Sequence, residues 1–196
     1  MKFEHLKLLV VSSIILLAAS CRSYDIPDHM KSENGHFQAV IEIPAGSTNL
    51  EEYDFESKSF NSSEEVQIPF LPFPGNYGFI PGTSHPASDK GTGAALDVLV
   101  LSGMEEQGSV MEILPIAMLK LQRNGKYENK VIAVPVDSVK NTLDVKNYFE
   151  FQRDHYLCKN ILMEWFLHVY QSDTIIFIGW ENEKVTKGEI ERRKIY

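Results

Sequence analysis

Hydrophobic residues recur at every second position in one segment of the N-terminal part of the chain. Ala39, Ile41 and Ile43 fall on one face of this segment, whereas Val40 and Glu42 fall on the other. A period of two predicts a β-strand. Glu42 shares its face with an apolar neighbour, so its side chain need not point to bulk water.

The middle of the chain carries further strand patterns. Segment 96–101 is a nearly continuous apolar run, which is typical of a strand buried on both faces. Segments 111–121 and 130–136 predict two more strands, and Asn124-Gly125 between them is typical of a hairpin turn. Segment 175–178 predicts a last short strand.

The apolar period changes to that of a helix in the C-terminal part. The positions that recur at helical spacing are Leu157, Ile161, Leu162, Trp165 and Val169. This pattern predicts a main helix that covers the barrel, with Trp165 in the core. Segment 182–194, rich in Glu and Lys, predicts a minor helix exposed to solvent. We therefore expect an α+β fold, a small closed β-barrel with one main and one minor C-terminal helix.

The N-terminal residues form a separate unit. Lys2 and Lys7 precede an apolar run that ends in Ala-Ala-Ser before Cys21. This pattern predicts a signal peptide over residues 1–20, because the run is too short for a stable membrane span. It is also similar to a bacterial lipobox, in which Cys21 would be acylated. An ordinary cleaved signal peptide with an incidental cysteine is the alternative.

The lipobox interpretation predicts where the protein lies. Residues 21–36 are polar, without an apolar period, and would act as a tether, and residues 37–196 would form one domain. We expect a lipid-anchored, extracytoplasmic protein of the bacterial cell envelope. The formal net charge of −8 argues against nucleic-acid binding, which needs a basic surface.

Several short motifs occur in a fixed order over the predicted domain. They are NYGFIP at 76–81, ALDVLV at 95–100, GSV at 108–110, GKYENKVIAV at 125–134 and GWEN at 179–182. In this order the chain resembles the family I soluble inorganic pyrophosphatases from about residue 37 to the C-terminus. The resemblance implies a closed, OB-like barrel of the pyrophosphatase type, Mg²⁺ as cofactor and hydrolysis of diphosphate to phosphate.

The resemblance also implies roles for single residues. Tyr77 and Lys130 match phosphate-contacting residues of the family, and Glu42 matches a glutamate that supports them, so these three are the substrate-binding candidates. Asp97 and Glu128 match metal ligands and are the magnesium candidates. A structural role is the alternative for Glu42, Tyr77 and Asp97, as a buried polar network that stabilises the barrel. For Lys130 the alternative is a pair with Glu128 or a solvated side chain.

Other positions depart from the family's pattern. Ala94 stands where the family has its water-activating aspartate, so no catalytic residue is assigned. Thr92 and Arg123 replace metal-binding aspartates. Glu52 and Glu65 replace a lysine and an arginine that hold phosphate. Alanine cannot act as a general base, so the sequence predicts that hydrolysis is weak or lost.

Three functions remain open at this point. The first is the family reaction in weakened form, with diphosphate or another small anion as ligand. The second is a non-catalytic lipoprotein module that uses the cavity for another ligand or a protein partner, and the third is a purely structural surface lipoprotein. A homo-oligomer is compatible with each.

Because Arg123 stands at a metal-ligand position, we also expect it to pair with Asp97, Glu128 or both.

Overall fold

The computed structural model describes residues 24–63, 68–84 and 95–195. The predicted signal peptide with Cys21, and positions Glu65, Thr92 and Ala94, lie outside these residues. The strands are β1 (Phe37–Ile43), β2 (Glu51–Asp54), β3 (Ser59–Ser62), β4 (Asn76–Ile80), β5 (Leu96–Val100), β6 (Val110–Arg123), β7 (Lys126–Pro135) and β8 (Ile175–Asn182). The helices are α1 (Tyr148–Asp154), α2 (Tyr156–His168) and α3 (Glu183–Arg192). In the described part of the chain, no helix is long and apolar enough to span a membrane.

Five strands close into a barrel. The sheet runs in the order β1-β4-β5-β7-β6-β8, and β6 also pairs with β1, which joins the two ends of the ring. Strand β5 runs parallel to β7, and the other pairs in this sheet are antiparallel. Strand β8 extends β6 outside the ring, and β2 and β3 form a separate two-stranded sheet. The predicted α+β fold with a closed β-barrel is confirmed.

Two glycine positions explain how the chain makes this barrel. A Cβ atom at Gly78 would lie 1.9 Å from the carbonyl oxygen of Val40, so only glycine allows β1 and β4 to pair here. The β6–β7 hairpin turns at Asn124 and Gly125, which have φ angles of 51° and 83°. Positive φ at both central residues is what a type I′ two-residue hairpin turn requires, and it confirms the predicted turn.

Apolar residues on opposite faces of the strands form two core clusters. In β5, Val98 and Val100 belong to the cluster that includes Ile190 of α3, whereas Leu99 packs in the cluster under α1 and α2. Trp165 lies in the second cluster and donates a hydrogen bond from Nε1 to the Pro72 carbonyl at 2.9 Å. The prediction that Trp165 is a core residue is confirmed.

The predicted apolar face of the main helix is partly wrong. Leu157 and Ile161 are 73% and 63% exposed, and the buried side of α2 is formed instead by Leu162, Trp165 and Phe166. Ile161 lies about 100° around the helix from Leu162, so both cannot lie at the centre of one buried face. The helical spacing predicted α2 correctly but placed its buried face too far around the helix.

Two other C-terminal details differ from the prediction. Helix α1 was not expected; the Asn147 side chain caps it by accepting from the Glu150 N–H at 2.9 Å, and only Phe151 is buried. The last strand is longer than the predicted segment 175–178, because β8 continues through the GWEN motif to Asn182. The side chain of Asn182 then accepts from the backbone N–H groups of Lys184 and Val185 and starts α3.

Candidate functional site

A cavity of about 250 Å³ opens between the barrel and the β2–β3 hairpin. All five substrate-binding and metal candidates line it, namely Glu42, Tyr77, Asp97, Glu128 and Lys130. Its charged wall consists of Asp97, Arg123, Glu128 and Lys130, and its aromatic wall of Tyr53, Phe55 and Phe79. The structure therefore brings the predicted site residues together, while their roles stay predictions.

Strand register positions the charged wall. Val98 of β5 lies opposite Val131 of the parallel strand β7, which places Asp97 beside Lys130. Glu128 and Lys130 are two residues apart on β7, so their side chains share a face. The ALDVLV and GKYENKVIAV motifs are far apart along the chain, and the parallel pairing of β5 with β7 brings their side chains together.

Lys130 is the centre of the charged wall. Its Nζ donates to Asp97 Oδ2 at 2.6 Å and to the Tyr77 hydroxyl at 3.0 Å, and it lies 3.3 Å from Glu128 Oε2. An ammonium group has three donors, and three acceptors surround this one. Burial lowers the pKa of Lys130, but Asp97, Tyr77 and Glu128 outweigh it and raise the pKa well above its usual value. Lys130 is therefore a permanently charged group.

Tyr77 supports Lys130 from the core side. Its ring is buried and packs 5.3 Å from the ring of Phe73 and 6.3 Å from that of Phe166. Burial, together with the charge of Asp97, raises the pKa of the Tyr77 hydroxyl well above 10.0. The phenol is neutral at physiological pH, so it accepts from Lys130 without adding charge.

Arg123 lies at the end of the charged wall, next to Glu128 and Tyr170. Its Nη1 lies 3.7 Å from Glu128 Oε1, and its guanidinium lies 4.1 Å from the ring centre of Tyr170. Its nearest carboxylate is Asp173, which accepts from Nε at 2.6 Å and also contacts Nη2. The prediction that Arg123 pairs with Glu128 is confirmed. Asp173 was missed, because no sequence motif links it to Arg123.

Glu42 lies between the two walls and is 8% exposed. One of its carboxylate oxygens, Oε1, accepts the backbone N–H of Tyr53 at 2.8 Å. Burial raises the pKa of Glu42 to about 8, and the charges of Asp97 and Glu52 act in the same direction. Glu42 is thus mostly protonated at neutral pH, and the expectation that it does not face bulk water is confirmed.

The described side chains do not fit Mg²⁺. Magnesium needs near-octahedral oxygen ligands, usually including carboxylates and waters. Both candidate ligands, Asp97 and Glu128, lie within 3.3 Å of the Lys130 ammonium, which occupies the position between them. Over residues 24–63, 68–84 and 95–195, no group of three His, Cys, Asp or Glu side chains could hold a metal.

Comparison with known proteins gives one family. The family model described as inorganic pyrophosphatase matches residues 39–194. The chain is 34% identical to the inorganic pyrophosphatase of Saccharolobus solfataricus over 84% of this chain and 95% of the relative. It is 30% identical to that of Sulfolobus acidocaldarius over 78% of this chain and 86% of the relative. The crystal structure of the Thermus thermophilus inorganic pyrophosphatase superposes with a TM-score of 0.71 at 25% identity, over 87% of this chain and 95% of that one.

Proposed function

Because the chain belongs to the inorganic pyrophosphatase family, we propose that its cavity is an altered pyrophosphatase site in which magnesium-dependent hydrolysis of diphosphate is weak or lost. One observation carries the proposal. The Lys130 ammonium contacts both candidate metal ligands, Asp97 at 2.6 Å and Glu128 at 3.3 Å. A divalent cation could bind these carboxylates only by displacing a buried, fully charged lysine.

The charge balance of the cavity also opposes diphosphate. Among the described residues that line it, Glu42 is mostly protonated, and three carboxylates, Glu52, Asp97 and Glu128, stand against the two cations Lys130 and Arg123. Lys130 and Arg123 are both engaged by carboxylates, so neither cation is available to a phosphate without breaking a pair. Glu52, at the position of a phosphate-holding lysine, repels an anion instead. The substrate-binding role of Lys130 implied by the resemblance is therefore weakened by the contacts it makes.

The missing base reduces the rate further. A positioned general base contributes about 10²–10⁴ to a rate. Ala94 at that position supplies none, and metal clamps that stabilise a developing phosphate charge contribute comparable factors. Each loss alone leaves a slow enzyme, and together they leave a fold without efficient chemistry.

A phosphate-release assay with Mg²⁺ and diphosphate tests this proposal. We expect turnover far below the median enzyme value of about 10 s⁻¹. Restoring both aspartates with Thr92→Asp and Ala94→Asp should not fully rescue activity, because Arg123, Glu52 and Glu65 remain wrong for metal and phosphate. Turnover of about 10 s⁻¹ or above in the unaltered chain would show that the site is an active enzyme.

A second candidate function is a non-catalytic binding module. It is favoured by the aromatic wall, in which Phe55 is 47% exposed although it lines a cavity. An exposed large apolar side chain in a concave site is typical of ligand binding. In this case the barrel and cavity remain useful after the chemistry is lost.

We also propose that the protein is anchored to a bacterial membrane through an acylated Cys21 and faces away from the cytoplasm. The support is the Lys-flanked apolar run that ends in Ala-Ala-Ser-Cys. Intact-mass measurement on detergent-extracted protein should show loss of residues 1–20 and added acyl chains. Soluble, unlipidated protein from the native host would exclude the anchor.

A further inference from the structure

Both cations of the charged wall are already paired with carboxylates. Lys130 lies against Asp97 and Glu128, and Arg123 lies against Asp173 and Glu128. Counted over these five side chains, three carboxylates face two cations. The charged wall therefore has no positive charge to offer a ligand, although it contains a lysine and an arginine.

The aromatic wall is built from three rings in mutual contact. Ring centres lie 5.1 Å apart for Tyr53 and Phe55, 5.2 Å for Phe55 and Phe79, and 6.0 Å for Tyr53 and Phe79. Such clusters present negative ring faces, which attract a cation that comes within about 6 Å of a ring centre. The apolar rings also favour burial of a hydrocarbon group.

Two carboxyl groups line the same cavity as these rings. Glu52 precedes Tyr53 in β2, is exposed and has no ion-pair partner among the described residues. Glu42 accepts the backbone N–H of Tyr53, and the charge of Glu52 helps to raise the pKa of Glu42. A carboxylate that shares a cavity with an aromatic cluster, and that has no ion-pair partner in the described part of the chain, attracts a positive group and repels an anion.

We propose that the cavity binds a small organic cation, a compound whose ammonium group lies beside Glu52 while its apolar part packs on the aromatic wall. This inference rests on the proposed use of the cavity as a binding site. It goes further by assigning the sign of the ligand's charge, which is opposite to that of diphosphate.

The size of the cavity limits the ligand. At the roughly 30 Å³ that one water occupies in the liquid, a volume of about 250 Å³ holds about eight groups of that size. A benzene ring with a two-carbon amine chain is near this limit. Larger ligands would have to extend out of the opening.

A charge series of ligands on the full chain tests the proposal by calorimetry. Phenethylamine, 2-phenylethanol and phenylacetate share the ring and differ at the end group, which is positive, neutral and negative. We expect the amine to bind about fivefold or more tightly than the alcohol, the contribution of one partly exposed cation–π and carboxylate contact. Phenylacetate should bind weakest of the three.

Variants separate the two parts of the site. Glu52→Gln should weaken amine binding, because it removes the carboxylate contact and leaves only the cation–π contact, and it should leave alcohol binding unchanged. Phe55→Ala should weaken both ligands. Glu56→Gln is the matched control, because it removes the same charge from the same hairpin but does not line the cavity.

The outcomes decide the proposal. Equal or tighter binding of phenylacetate, amine binding unaffected by Glu52→Gln, or no amine binding at about 20 mM would each overturn it. Phosphate release from Mg²⁺ and diphosphate is measured on the same preparation. Rapid release would overturn the proposed loss of hydrolysis whatever the amine does, so the two failures are distinguishable.

Discussion

The charged wall and the aromatic wall face each other across one cavity but differ in how far their groups are already partnered. On the charged wall, Lys130 has three acceptors within 3.3 Å and is 3% exposed. On the aromatic wall, Phe55 is 47% exposed. Glu52, which lines the same cavity, pairs with no cation among the described residues. The polar groups of the charged wall therefore satisfy one another, whereas the aromatic wall leaves an apolar side chain exposed and a carboxylate without an ion-pair partner among the described residues.

This difference separates two kinds of polar residue at a site. Side chains that form hydrogen bonds and ion pairs with one another stabilise the fold. Their charges are then not available to a ligand, so they do not indicate which ligand the site binds. Side chains without partners contribute little to folding and are free to recognise a ligand. The alignment of Lys130 with a phosphate-binding lysine is therefore less informative than its contacts.

The largest effect should follow from removing the central cation. Lys130→Met keeps the length of the side chain but leaves Asp97, Glu128 and Tyr77 without their shared donor. Breaking a buried pair of this kind costs about 3–5 kcal/mol of unfolding free energy. Urea denaturation measures it, and Mg²⁺ should recover part of the loss, since the two carboxylates then need a new counter-ion.

Lys140→Met is the control for this variant. Lys140 pairs with Glu105 at 2.7 Å, but its side chain is 47% exposed. An exposed pair is worth about 0–1 kcal/mol. A Lys130→Met protein as stable as the Lys140→Met protein would show that the charged wall is not a stabilising network.

A smaller effect is expected at the edge of the same wall. Arg123→Ala removes the contacts to Asp173 and Glu128 and the stacking on Tyr170. A hydrogen bond to a charged group contributes about 1.5–3 kcal/mol, and we expect a loss in unfolding free energy near the lower value. Arg153→Ala removes a more exposed Arg–Asp pair and serves as the comparison. If both variants lose the same unfolding free energy, Arg123 contributes no more to stability than an ordinary surface charge.

The third prediction concerns Glu42, which lies between the two walls, and the pH dependence of the stability of the protein. The pKa of Glu42 is about 8 in the folded chain and 4.5 when unperturbed, so the folded state holds its proton more tightly. Its contribution to stability is complete below pH 4.5 and is lost as pH rises towards 8, by at most about 1.4 kcal/mol per pH unit. Glu42→Gln should remove this slope from the difference between the two unfolding curves. Parallel pH profiles for both proteins would mean that Glu42 is ionised in the folded state.

The sequence predicted the fold well because local patterns report local structure. The alternation of apolar residues in β1 predicted a strand, and Asn124-Gly125 predicted a hairpin turn, and the structure shows both. Helix α1 was missed because it buries one side chain, Phe151, and so has no apolar period. The exposed positions of Leu157 and Ile161 show that spacing alone does not fix which side of a helix faces the core.

The site was less accessible to sequence reasoning, because its contacts depend on strand register. The resemblance placed Tyr77, Asp97 and Lys130 in one site, but the direction of the Lys130 ammonium towards Asp97 follows from the β5–β7 pairing. Asp173 and Arg123 are 50 residues apart and meet where β8 pairs with β6. The roles of Ala94 and Cys21 stay predictions, since both lie outside the described residues.

The separation of the β2–β3 hairpin from the barrel sheet has a kinetic consequence. A two-stranded hairpin is marginally stable alone, and this one is held to the barrel by ring contacts such as Tyr53 with Phe79 and by the Tyr53 N–H bond to Glu42. It should open locally at a lower free energy than the barrel, and its amide hydrogens should exchange with solvent faster than those of β5 and β7. A ligand bound against Tyr53 and Phe55 would lose these contacts each time the hairpin opens, so frequent hairpin opening should shorten the residence time of the ligand.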